Sequence, residues 1–158
     1  MPVSPHAPPG TRPVTVFSSD GVRLSGIAVP AVSRPSGRPI TFVAAHGFTV
    51  VFPEDHPLPE QVRMVREADV VAGFAGSGMF QVAFAGGPKH VVLVGSESYT
   101  ASNEYLISSV VGHRLDLVLC RPDVPKEGDG FSNASYQSDF TYDDQREGVF
   151  LREVLGAL

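Results

Sequence analysis

From residue 40 onward, apolar and polar positions alternate between two rhythms. Phe48-Thr49-Val50-Val51-Phe52 is a short apolar run rich in β-branched residues, and it predicts a buried strand. Pro53 to Pro59 reads as a loop. Pro57 and Pro59 suit a helix start, and Glu60 puts a carboxylate in the first turn, where the helix dipole favours it. Val62, Met64, Val65 and Ala68 then supply an apolar helical face. Asp69 opens a second strand, Val70-Val71-Ala72, followed by a glycine-rich turn at 73–78 and a helical apolar stretch from Met79 to Ala85. Gly86-Gly87-Pro88 ends that helix, and His90 to Val94 is a third strand. Ser102 to Val111 has helical spacing, with Tyr105, Leu106, Ser109 and Val110 on one side and Gly112 as the cap. Leu115 to Leu119 is a fourth strand, residues 122–139 an irregular surface loop, and about Tyr142 to Leu158 a last helix carrying Val149, Phe150, Val154 and Leu155. Strands apolar on both faces, separated by helices of about ten residues, predict parallel βαβ units covered on both sides. With right-handed crossovers the expected class is α/β, a Rossmann-like parallel sheet.

Before residue 40 the pattern differs. Residues 1–13 read as a proline-rich leader, because proline fixes φ and removes a backbone donor. Val14 and Val16, then Val22 and Leu24, alternate with polar neighbours around Ser18-Ser19-Asp20-Gly21, which predicts an N-terminal β-hairpin over 14–29. Residues 30–39 are linker-like. The expected organisation is therefore a leader, hairpin and linker over 1–39 and one folded domain over 40–158.

Composition narrows this picture. A chain of 158 residues fits one domain and can bury a real core. Eight of the 14 prolines fall in residues 1–39, which locates the change of character. A net charge of -5 gives no electrostatic footprint for nucleic acid. No apolar run approaches the ~20 residues of a membrane span, and MPVSPHAPPG lacks the order of a signal peptide, so a cytoplasmic location is expected. The single Cys120 excludes an intrachain disulfide and a multi-cysteine zinc site. His46, His56, His90 and His113 show no metal-ligand spacing, so neither a metal nor a cofactor is expected. The Asp143-Asp144 pair is placed at the first turn of the last helix.

Open parallel sheets bind ligands beyond the carboxyl ends of their strands. Two loops are expected there: Pro53-Glu54-Asp55-His56, and Gly73-Phe74-Ala75-Gly76-Ser77-Gly78. Gly76 and Gly78 allow the backbone to approach a ligand, and the following helix offers free N–H groups and a positive dipole end suited to a diphosphate. The alternative is a tight strand-to-helix turn whose glycines serve packing alone.

The order of these motifs resembles glycosyltransferase family 61, which includes capsular polysaccharide biosynthesis proteins. The matching residues are Pro53-Glu54-Asp55, Glu60-Gln61, Ala68-Asp69-Val70-Val71 and Gly73 to Met79, with Tyr105 to Gly112-His113 similar to a later helix and Leu-Gly-His stretch. Ser33-Arg34 and Arg38 echo a basic segment more loosely. The resemblance implies the C-terminal, donor-binding half of a GT-B fold. It implies hexosyl or pentosyl transfer from a nucleotide-sugar donor to a glycan acceptor, without a tightly held metal. Donor contacts would fall on Gly73, Gly76, Ser77, Gly78, Met79 and Gln61. Glu54 and Asp55 are the nearest carboxylates for taking the acceptor proton. The chain departs from the family pattern where Ala75 replaces the turn histidine, where Gln81 stands near a family asparagine, and where Leu93 or Val94 stands near an acidic strand end. An acceptor-binding half is not recognisable, so an oligomer or a partner subunit would complete the enzyme.

Two other readings stay open. One is a non-catalytic α/β domain that binds a ligand or partner. The other is an α/β-hydrolase remnant: residues 14–48 resemble such an N-terminus, with His46-Gly47-Phe48 at the oxyanion-loop position. No G-x-S-x-G elbow occurs, since Ser77 is flanked directly by Gly76 and Gly78.

Overall fold

The computed structural model describes residues 14–17, 48–51 and 53–157. Its strands are β1 (Val14–Phe17), β2 (Thr49–Val50), β3 (Val70–Phe74), β4 (His90–Ser96), β5 (Arg114–Pro122) and β6 (Phe140–Thr141). Helices α1 (Leu58–Glu67), α2 (Ser102–Val111), α3 (Asn133–Tyr136) and α4 (Glu147–Gly156) are joined by 3-10 segments at Pro53–Asp55 and Ser77–Phe84. The sheet order is β2-β1-β3-β4-β5-β6. β1 to β5 are parallel, and β6 pairs antiparallel with the end of β5 through Arg121↔Thr141 and Pro122↔Phe140. The α/β class expected from the rhythm is what the chain forms.

β1, the first arm of the expected hairpin, pairs within the parallel sheet. Val14 to Phe17 pair in parallel with Val70 to Gly73 on one side, and Thr15 and Val16 pair with Thr49 and Val50 on the other. A strand has two hydrogen-bonding edges, and both edges of β1 are taken. The second arm of the expected hairpin, residues 18–29, lies outside the described residues. The turn chemistry of residues 18–21 is local, whereas parallel pairing is decided by strands more than 30 residues away. The leader at 1–13, the linker at 30–39, the Ser33-Arg34 and Arg38 segment and the His46-Gly47 pair lie outside the described residues.

Alternate side chains of the strands point to opposite faces, and each face has its own core. Val70, Ala72, Val92, Val94, Val118 and Cys120 pack with Phe48, Tyr142 and the α4 residues Leu151, Val154 and Leu155. Val71, Val91 and Leu93 pack with Val65 and Ala68 at the end of α1 and with Met79 and Val82 of the 3-10 segment, flanked by Ile107, Leu115 and Leu117. Fully burying each such aliphatic chain stabilises the fold by about 1.5–3 kcal/mol. The result is a sheet between two helical layers. α1, Ser77–Phe84 and α2, the three segments that join successive parallel strands from β2 to β5, all cover one face.

The local signals act largely as expected. α1 begins with Pro57 at its cap and proline in its first turn, with Glu60 there too. α2 has the expected bounds, and Gly112 closes it at φ 84. Ser77–Phe84 is a 3-10 rather than an α-helix. The last helix starts at Glu147, so Asp143 and Asp144 lie before it: Asp143 O and Oδ1 accept from the amides of Glu147 and Gln145.

α2 is turned opposite to its sequence pattern. Tyr105, Leu106 and Val110 are more than half exposed, while Glu104 and Ser108 are buried against the fold. Its cap residue Ala101 is buried in the left-handed region at φ 48, a conformation that costs a non-glycine residue about 1–2 kcal/mol. That bend sets the direction in which the first turn of α2, and so Glu104, enters the structure.

His113 is a structural bracket. Its Nδ1 accepts from Lys89 N at 2.9 Å, which leaves the proton on Nε2 for Val82 O at 3.0 Å.

Candidate functional site at the carboxyl edge

Because β2 and β3 are parallel, the turns that leave them lie on the same edge of the sheet. They are two strand positions apart, roughly 10 Å, with the end of β1 between them. The strand order reverses here: the chain passes from β1 outward to β2, then back across β1 to β3. Ligands of open α/β sheets settle beside such a reversal.

The Pro-Glu-Asp turn is held by Gln61. Its Nε2 donates to Pro53 O and to His56 O, both at 2.7 Å, so a side chain on α1 fixes the 3-10 turn before it. His56 Nδ1 lies 3.3 Å from Glu60 Oε2, tying the same turn to the first turn of α1. Asp55 is exposed. Glu54 is the middle residue of the turn.

The glycine-rich segment divides into parts with different surroundings. Gly73 lies inside β3, in register with Phe17 and Leu93. Ala75 N continues the ladder to Val94 O at 2.9 Å. Gly76 adopts φ 146, where a Cβ would be strained, and this places its amide toward α2. Ser77 is exposed, at the start of the 3-10 segment. Met79 is fully buried, and its amide closes the turn onto Gly76 O at 3.0 Å. Gly95, at the end of β4, comes so near this turn that an added Cβ would lie 2.9 Å from Ala75 Cβ.

Glu104, which the sequence pattern did not single out, occupies the Gly76 amide. Its Oε1 accepts from Gly76 N at 2.8 Å and from the Tyr99 hydroxyl at 2.9 Å. The residue is 2% exposed, and Oε2 is buried without a hydrogen-bond partner. Two more unpartnered buried acceptors, Gln81 Oε1 and Ser108 Oγ, belong to the 3-10 segment and to α2, which pack together. Burial, and then the hydrogen bond to Glu104, pushes the Tyr99 hydroxyl well above the usual tyrosine range, so it remains a donor at neutral pH. A helical pattern of 104, 107, 108 and 111 was the available signal. Its mixed Glu-Ile-Ser-Val content looked less apolar than Tyr105, Leu106 and Val110.

Aromatic residues extend this contact chain along the edge. Tyr99 stacks on Tyr136 with centroids 5.6 Å apart, and Phe131 leans on Tyr136 at 5.5 Å. Beside them the hydroxyls of Ser98 and Ser135 meet at 2.5 Å. Arg146 is ion-paired with Glu97, just past β4, and its Nε lies 3.1 Å from Glu147 Oε1. At the opposite, amino edge Asp116 Oδ2 receives His90 Nε2 at 2.5 Å and Arg114 Nε at 3.1 Å, which ties β4 to β5 away from these turns.

Residues 40–93 match the family model described as Glycosyltransferase 61. Over this segment the chain is similar to glycosyltransferase 61. The segment covers about a third of the chain and runs through β2, the Pro-Glu-Asp turn, α1, β3, the glycine-rich turn and the first residues of β4. The resemblance seen in the sequence is thus borne out over the residues that form both turns. None of the curated proteins matches the chain. Among the described residues, no group of three or more His, Cys, Asp or Glu is arranged to hold a metal ion. No described helix is long and apolar enough to cross a membrane.

Proposed function

We propose that the chain is the nucleotide-sugar-binding part of a glycosyltransferase, of the kind that builds capsular or related polysaccharides. In this reading the sheet is the Rossmann-like, C-terminal half of a GT-B fold. The observation that supports it best is the glycosyltransferase 61 segment itself. It supplies two turns, and both lie at the carboxyl edge, beside the reversal of strand order.

The donor diphosphate would rest on the amides of Ser77 and Gly78, at the start of the 3-10 segment, where the first N–H groups have no acceptor within the helix. Gly76 shapes the turn. Met79 anchors it from the core, and Gly73 holds it in β3. Gln61 positions the opposite turn, whose Glu54 and Asp55 are the carboxylates offered for acceptor deprotonation. A sugar would then pass from the nucleotide to a glycan hydroxyl, with an acceptor half contributed by another segment or subunit.

A specific observation favours a second reading, a non-catalytic α/β domain. Glu104 already fills the Gly76 amide, and its charge opposes a neighbouring diphosphate. Calorimetric titration with uridine, guanosine and cytidine diphosphates and their sugars at millimolar concentration separates the two. Saturable binding that weakens at least tenfold when Gly78 is replaced by proline supports the first reading, and no binding by any of them rejects it.

A further inference from the structure

Phe131 is 72% exposed, yet it is not isolated. It rests on Tyr136, which stacks on Tyr99, whose hydroxyl donates to Glu104, which accepts from the Gly76 amide. This unbroken path leads from the glycine-rich turn to a shelf beyond the ends of β4 and β5. Gly128, at φ 72, and Gly130 precede Phe131 and let the chain present the ring outward. A large exposed aromatic ring supported from below by other rings marks a contact surface more than a packing residue.

We propose that Phe131 and Tyr136 are the docking face for a neutral pyranose ring, the saccharide rather than the nucleotide of the glycosyltransferase reading on which this inference rests. Three observations select that ligand. First, the segment 122–139 carries Asp123, Glu127, Asp129 and Asp139 against Lys126 alone, a net charge of -3 that repels a nucleoside diphosphate within a Debye length of about 8 Å. A neutral sugar is not repelled. Second, the hydroxyls beside the rings in the chain are neutral: part-exposed Ser132 next to Phe131, and part-exposed Ser98, which meets the buried Ser135 at 2.5 Å. Hydroxyls both donate and accept, which suits a sugar's own hydroxyls. Third, a pyranose presents a face of C–H groups with a slight positive charge, and an aromatic face is negative.

The test uses the whole chain. It contains no tryptophan, so F131W introduces a single reporter at the shelf. Methyl hexopyranosides at up to several hundred millimolar should shift the emission of F131W saturably, and uridine diphosphate should not. In calorimetry F131A should weaken the best hexopyranoside about 10-fold while leaving uridine diphosphate affinity within about twofold. Because Phe131 is exposed, F131A should keep the wild-type urea midpoint, which separates lost binding from lost folding. The proposal is overturned if uridine diphosphate alone shifts the reporter, which would make the shelf a nucleobase platform. It is equally overturned if no hexopyranoside binds, or if F131A leaves hexopyranoside affinity unchanged. Failure of the glycosyltransferase reading looks different: hexopyranosides bind at the shelf while no nucleoside diphosphate binds anywhere.

Discussion

Replacing Glu104 with glutamine removes the charge beneath the glycine-rich turn but keeps an oxygen where Gly76 N and Tyr99 Oη are bound. The new amide nitrogen can take the place of Oε2, which has no partner to lose. Replacing it with alanine removes the acceptor itself. A hydrogen bond to a charged group is worth about 1.5–3 kcal/mol, and two are lost in E104A, while relief of one orphaned buried oxygen returns about 1–3 kcal/mol. E104A should therefore lose about 2–3 kcal/mol, and E104Q should stay within about 1 kcal/mol of wild type. With a urea slope of about 2 kcal/mol per molar, E104A lowers the unfolding midpoint by roughly 1–1.5 M at unchanged slope. The charge has a separate readout. At roughly 8 Å and an effective dielectric constant near 20, one unit charge repels another by about 2 kcal/mol, so E104Q should bind uridine diphosphate about 30-fold more tightly. Ultraviolet titration should also show Tyr99 ionising at lower pH in E104Q, because the carboxylate that held its proton is gone. Equal destabilisation by E104Q and E104A, or weaker diphosphate binding by E104Q, would refute this account of the turn.

Three further outcomes follow from other contacts. G95A should cost about 1–3 kcal/mol, because two stiff Cβ atoms would meet at 2.9 Å; adding A75G should recover most of the loss in urea unfolding, and failure of that rescue would show that the clash lies elsewhere. L151A should cost about 2–5 kcal/mol, since Leu151 is fully buried where α4 meets the sheet, and a urea-measured loss below 1 kcal/mol would sink the two-layer core. Stability should fall in alkali: burial, then Glu147, pushes the Cys120 thiol up to about 12, and burial, then Asp144, pushes Tyr142 up to about 12. The unfolded thiol ionises from about pH 9, so this contribution is complete below that pH and is lost as pH rises toward 12, and C120A should flatten the early part of the fall in urea midpoint.

What was legible in the sequence was what is decided locally. Proline before α1, glycine after α2 and runs of Val and Ile-like residues at β3 and β4 set those elements within a few residues of where they occur. The glycines of 73–78 and the Pro-Glu-Asp turn were readable for the same reason. The place of β1 was not, because a strand of four residues carries no mark of its parallel partners, and the Ser-Asp-Gly turn beside it spoke for a hairpin. The facing of α2 runs against its apolar pattern for a physical reason. Periodicity assumes that the apolar side is the buried side, and here a carboxylate is buried because it has two donors to meet. Glu104, Tyr99, Tyr136 and Phe131 come from three separate segments, so only the fold could assemble them.

The position of β1 also separates the family match from the folding unit. The segment shared with glycosyltransferase 61 holds β2 and β3, yet these strands never touch; the strand that joins them comes from residues 14–17, outside the shared stretch. Cut out alone, residues 40–93 would leave β2 and β3 facing each other across one empty strand position, each with an unsatisfied edge. The stretch that matches the family model is thus shorter than the piece that can close a sheet. Any graft of the two turns onto another protein must carry β1 with them, or borrow a strand from its host.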